Sequence, residues 1–260
     1  MKTNFINFIV IVLLLVITVA ACNTDRKVTN VTLAVDETAT CTVMVTLSLH
    51  PAEPELIFVE GGTLRLGCNE GDCSEWELPG RLVTLNDFKI AKHQVTQKQW
   101  ELIMGTNPSY FRGDDLPVER VSWYDVQEFI ERLNEITGKN YRLATEREWE
   151  YAARGGTRSE KFGYSGSNDI NEVAWYGSNS GNRTHPVGRK EPNELGIYDM
   201  TGNVKEWCSD LYYAEELQKT ARVTRGGSWS TNTQFSLVSY RTPTDPEYRF
   251  DFLGVRLAHP

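Results

Sequence analysis

The sequence is poor in the residues that usually carry enzyme chemistry: its 260 residues hold four histidines and five cysteines. The histidines, His50, His93, His185 and His259, include no pair at the i, i+4 spacing that places two imidazoles on one helix face. Cys68 and Cys73 are the one close cysteine pair, whereas a structural zinc site wants two close Cys or His pairs. Net charge is −8, with 27 Lys and Arg scattered among 35 Asp and Glu. The basic stripe that phosphate binding requires is missing, so no nucleic-acid partner is expected. The apolar run from Phe8 to Ala21, broken by Thr18, falls short of the roughly 20 residues that span a bilayer.

That run follows Lys2 and reads as a signal peptide over residues 1–21. It ends in Val19-Ala20-Ala21-Cys22, which resembles the lipobox of bacterial lipoproteins. The resemblance implies cleavage before Cys22, lipidation of its thiol and a protein of the bacterial cell envelope, held to a membrane, expected to be the outer one, by its lipid anchor. In that oxidising compartment Cys68 and Cys73 can close a short disulfide loop that Gly71 helps to turn. Cys208 either pairs with Cys41 or remains a buried free thiol.

Residues 22–55, rich in Thr and Val and ending among Pro51 and Pro54, read as a tether with one or two strands. The domain proper is expected over 56–260. Two β-prone runs around Gly61-Gly62 suggest a hairpin. Three helices follow. The first runs from Thr96 to Met104 and buries Trp100 and Ile103. The second starts at Ser122, with Val126, Phe129, Ile130, Leu133 and Ile136 on one stripe. The third begins at Thr145 with Glu148 three residues on, and stops at Gly155-Gly156. Beyond Gly156 the Gly, Asn, Ser and Pro content reads as ordered loop, with short strands at 222–226 and 254–258 and at most one helical turn near Tyr213 to Gln218. Helices followed by loops and strands make an α+β fold.

Five ordered segments, "AKHQVTQKQWELIMGTNPSYF", "PVERVSWYDVQEFIERLNEITGKNYRLATEREWEYAARGG", "THPVGRKEPNELGIYDMTGNVKEW", "RGGSW" and "LGVRLA", resemble the formylglycine-generating enzyme (sulfatase-modifying factor) family. The resemblance implies an irregular, loop-rich, C-type-lectin-like fold stabilised by calcium. The family's oxidases bind copper through two cysteines, three and eight residues after the serine of "GGS"; here Thr231 and Ser236 stand there. Neither hydroxyl replaces a thiolate for Cu(I), and the histidine-held iron of another branch lacks its ligands too. The family's structural calcium site would fall on the side chains of Asp199 and Glu206 and the carbonyls of Gly202 and Val204, all hard oxygen donors. The same turn without metal, held by hydrogen bonds, is the alternative. Lys205 stands where the family usually has Trp.

Other candidates are bland. His93 and His185 sit among apolar residues and read as structural, Asp114-Asp115 as a solvated turn, and Glu191-Pro192-Asn193 as part of the family motif rather than a sugar site. What remains is the surface after "RGGSW". Trp229, Ser230, Thr231, Phe235, Tyr240, Thr242, Asp245, Tyr248, Phe250, Asp251 and Phe252 mix small hydroxyls with aromatic anchors, the vocabulary of a binding face for a protein or small ligand. The arrangement is similar to the variable region of ligand-binding proteins made by diversity-generating retroelements. Packing of the domain's own loops is the alternative use of these aromatics.

Overall fold

Three local signals start three helices. Thr96 Oγ1 accepts the Gln99 amide at 3.2 Å while Gln99 Oε1 accepts the Thr96 amide at 2.9 Å, and α1 (Gln97–Met104) follows, closed by Gly105 at φ 73°. Ser122 and Asp125 exchange the same pair of bonds before α2 (Trp123–Thr137). Thr145 and Glu148 repeat the device before α3 (Glu146–Ala153). The chain is a computed structural model that describes residues 30–35, 41–46, 50–68, 77, 80–214 and 219–260. The expected signal segment, Cys22 and Cys73 lie outside these. Among the described residues no helix is long and apolar enough to cross a membrane.

β1 (Asn30–Val35) and β2 (Cys41–Thr46) form an antiparallel pair within a unit that is separate from the main one. In the main unit, β3 (Leu56–Val59), β4 (Gly62–Leu66), β5 (Arg81–Leu85), β6 (Phe88–Ala91) and β7 (Arg142–Leu143) precede the long β8 (Lys205–Ala214) and β9 (Lys219–Arg225). β10 (Arg241–Thr244), β11 (Leu253–Gly254) and β12 (Leu257–His259) close the chain. One sheet has the order β3-β6-β12-β7, a second β10-β9-β8-β11, and β4 pairs with β5 alone.

Two expectations are corrected. The runs on either side of Gly61-Gly62 do not pair with each other: β3 joins β6 while β4 joins β5. Gly61 is the crossing, where a Cβ would lie 2.5 Å from the Leu85 carbonyl oxygen. The second half is also more regular than its composition suggests, since it supplies a four-stranded sheet. β8 hides because its register shifts between Trp207 and Leu211, which breaks the two-residue alternation that marks a strand. The strand runs on through Tyr213 and Ala214, and the rest of the segment allowed a helical turn, 215–218, lies outside the described residues.

Val126, Phe129, Ile130 and Leu133 of α2 are buried, with Phe129 stacked on Trp100 at 4.8 Å, while Ile136 is exposed. Trp149 of α3 and Trp207 of β8 are both 1% exposed. Each such side chain contributes about 1.5–3 kcal/mol by leaving water. Cys68 is disulfide-bonded. Cys208 is a buried free thiol, which decides between its two expected states.

Candidate functional site

The "RGGSW" loop is a knot of internal bonds. Arg225 is fully buried, ion-paired with Glu150, and donates to the carbonyls of Ser239 and Tyr240 at 2.7 and 2.6 Å. Gly227, at φ 71°, could not be replaced without a Cβ 2.5 Å from Ser236 Oγ. That close approach brings Ser236 Oγ within 3.1 Å of Thr231 Oγ1, which also accepts the Ser228 amide at 2.8 Å. The positions of the two copper cysteines thus hold a hydroxyl pair already bonded to the loop. Trp229 is fixed as well: its indole donates to the Asp251 carbonyl at 2.9 Å and meets Phe111 edge-on at 5.4 Å.

The oxygens expected around calcium do converge, with one change. Asp199, at φ 57°, contributes its carbonyl, while Oδ2 of its carboxylate accepts the Gly188 amide at 2.7 Å and Oδ1 is buried without a partner. The carbonyls of Asp199, Gly202 and Val204 and Oε1 of Glu206 surround one point, and Nε2 of Gln94 occupies it, at 3.2, 3.5, 2.8 and 3.0 Å respectively. Glu206 is otherwise spoken for by Trp149 Nε1 at 2.6 Å and by Arg256, which approaches to 2.9 Å. Calcium takes six to eight oxygens at about 2.3–2.6 Å. As the side chains stand, an amide nitrogen lies among these oxygens and the Arg256 guanidinium pairs with Glu206, while Asp199 Oδ1 and Gln94 Oε1 are buried without a hydrogen-bond partner.

Alternation along β8 sends Lys205 to the face opposite Glu206. There it enters a cavity of about 360 Å³ whose walls include Thr224, Thr242, Tyr248, Phe250 and Phe252. Lys205 Nζ donates to Thr242 Oγ1 at 2.8 Å and lies 5.8 Å from the Tyr240 ring centre. Burial pushes its ammonium down to about 8. Three rings form a ladder along one wall: Tyr248 meets Phe250 edge-on at 5.1 Å, and Phe250 stacks on Phe252 at 4.8 Å.

The eleven residues expected on one binding face therefore divide. Thr242, Asp245, Tyr248, Phe250 and Phe252 line the cavity. Tyr240, half-buried, borders it through Lys205 and packs on Phe235 at 5.1 Å. Trp229, Thr231 and the Asp251 carbonyl belong to the loop knot, and Ser230 is exposed beside it. Lys205, Thr220 and Thr224 also line the cavity and were not singled out for it. The signal for Lys205 was available: a lysine next to an inward-facing glutamate in a strand must face the other way.

The bland candidates keep their structural roles. His185 stacks on Trp175 at 3.8 Å and its Nε2 bonds the Ser180 carbonyl oxygen at 2.7 Å. His93 stacks on Tyr198, and burial pushes it down to about 4. Asn193 is buried and pins the chain through the Ala152 carbonyl at 2.8 Å and the Leu195 and Ile197 amides, so it is not free to hold a sugar. Asp114 is exposed and pairs with Lys98.

Residues 44–260 match the family described as the sulfatase-modifying factor enzyme 1-like domain. Chaperone protein LppX of Paenibacillus barcinonensis is 38% identical over 237 residues, covering 72% of this chain and 82% of that protein. The inactive C-alpha-formylglycine-generating enzyme 2 of Mus musculus is 25% identical over 275 residues, covering 80% of this chain and 87% of that protein. Among solved structures, Treponema denticola variable protein 1 superposes with a TM-score of 0.70 at 30% identity, covering 78% of this chain and 94% of that one.

Proposed function

The chain belongs to the sulfatase-modifying factor family, with its α+β, C-type-lectin-like fold, and from that premise we propose that its domain works by binding rather than by oxidation. In this reading it is a lipoprotein of the bacterial cell envelope, anchored through Cys22 at the outer membrane, whose C-terminal surface captures a ligand. The observation that carries the reading is the cavity walled by Tyr248, Phe250 and Phe252, with Lys205 at its base. Fold alone does not assign function, but this cavity is of small-ligand size, about 300–1,000 Å³, and pairs apolar walls with a few polar groups. The hydroxyl pair Thr231 and Ser236, in place of two thiols, supports the absence of copper chemistry. A relative named as a chaperone and another named as inactive support a non-catalytic domain.

The test is titration of the full chain with naphthalene derivatives by calorimetry. Binding that weakens at least tenfold in Phe250→Ala, with melting unchanged, is expected. A wild type that takes none of them, or a variant that binds as well, would overturn the reading.

A further inference from the structure

Among the described residues Lys205 is the one cation that lines the cavity. Its ammonium has three protons to donate, and one of them goes to Thr242 Oγ1 at 2.8 Å. Among the described residues no carboxylate forms an ion pair with it. Asp245 also lines the cavity, but its Oδ1 accepts the Glu247 amide at 3.0 Å and no ion pair joins it to Lys205. Threonine hydroxyls of the lining are themselves linked: Thr224 Oγ1 bonds Thr244 Oγ1 at 3.0 Å and the Thr242 carbonyl at 3.2 Å.

A charge held in this way carries a large desolvation cost that a ligand of opposite sign would relieve. The ring ladder of Tyr248, Phe250 and Phe252 supplies a flat apolar wall beside it.

We infer that the cavity takes a small organic anion with an aromatic or aliphatic body, its anionic end on Lys205 and its body along the Tyr248, Phe250 and Phe252 wall. The inference rests on the reading of this surface as a binding face and names the chemistry of what binds. Lys205 is the specificity-determining residue, and it comes from β8, outside the loop segment that carries the aromatics.

The experiment compares naphthalene sulfonate with the neutral naphthalene sulfonamide on the full chain, by calorimetry. Wild type is expected to bind the sulfonate at least tenfold more tightly. Lys205→Met, which keeps the length and apolar stem of the side chain, is expected to erase that preference. Lys205→Arg, which keeps the charge, is expected to retain it, and this variant separates charge from any packing loss. Equal affinity for both compounds in wild type and Lys205→Met, with both weakened in Phe250→Ala, would overturn the anion assignment and leave the binding face standing. Failure of both compounds to bind would overturn the two together.

Discussion

Thr231 Oγ1 and Ser236 Oγ lie 3.1 Å apart, five residues from each other in the chain and joined by a hydrogen bond. The geometry that would bring two thiolates onto one copper ion is therefore present, while the sulfur is not. The wild type is expected to bind Cu(I) no better than a Thr231→Ala variant and to leave a cysteine-containing sulfatase peptide unoxidised. Thr231→Cys with Ser236→Cys is expected to gain stoichiometric Cu(I) binding, because soft sulfur ligands select that ion. Competition against a chromophoric Cu(I) chelator measures this. Tight copper binding by the wild type would refute the assignment.

The Gln94 amide nitrogen sits where four oxygens meet. Calcium and chelator are thus expected to give the same melting temperature, contrary to what the family resemblance implies. Gln94→Glu removes the amide protons and puts a carboxylate among the oxygens, at a cost of about 3–5 kcal/mol for an uncompensated buried charge. Calcium should then restore stability, by about 2.7 kcal/mol when it is present at 100 times its dissociation constant. Melting scans of both proteins with calcium and with chelator decide the matter; a chelator effect on the wild type would show that Gln94 yields its place to the ion.

Glu119 is fully buried, with Oε1 on the Phe111 amide at 2.9 Å and Oε2 unpartnered. Burial raises its carboxyl from 4.5 to about 7. The folded state then holds the proton where the unfolded state has released it, so this group lowers stability as pH rises from about 4.5 to about 7. The shift corresponds to about 3 kcal/mol. Glu119→Gln is expected to remove that part of the slope. Denaturant midpoints across this range, for both proteins, test it; parallel curves would refute it.

Much of this was legible in the sequence where chemistry is local. The reciprocal caps at Thr96 and Thr145 need three residues each, and the α2 stripe through Leu133 needs only helical spacing. The sheet crossing at Gly61 was not legible, because the partners of β3 and β4 lie 15 to 35 residues away in the chain and nothing in the glycine pair announces them. The same limit governs the site. The substitutions at Thr231 and Ser236 could be read from motif spacing. That Gln94 reaches Val204 across 110 residues could not, since a glutamine in a strand-like segment carries no mark of its destination. Lys205 was visible as an oddity, and its meaning depended on which face of β8 it took.

The ring ladder allows binding and packing to be separated residue by residue. Tyr248 and Phe250 are exposed, at 51% and 37%, whereas Phe252 is only partly buried yet packs against the core cluster that holds Leu253 and Val255. Expecting all the aromatics of this segment to behave alike would therefore be wrong. Tyr248→Ala and Phe250→Ala are each expected to cost an apolar ligand about 2 kcal/mol of affinity, near thirtyfold, as binding-face anchors do. Their effect on stability should stay near 0.5 kcal/mol, as for surface changes. Phe252→Ala removes a ring that serves both wall and core, and it is expected to lower affinity and melting temperature together. Tyr240 stands apart: its ring lies against Phe235 and near the Lys205 ammonium, so Tyr240→Ala is expected to loosen the anion end of the cavity. Calorimetric affinities set beside melting temperatures for the set test this division. If Tyr248→Ala and Phe250→Ala instead lose several kcal/mol of stability each, the ladder is core.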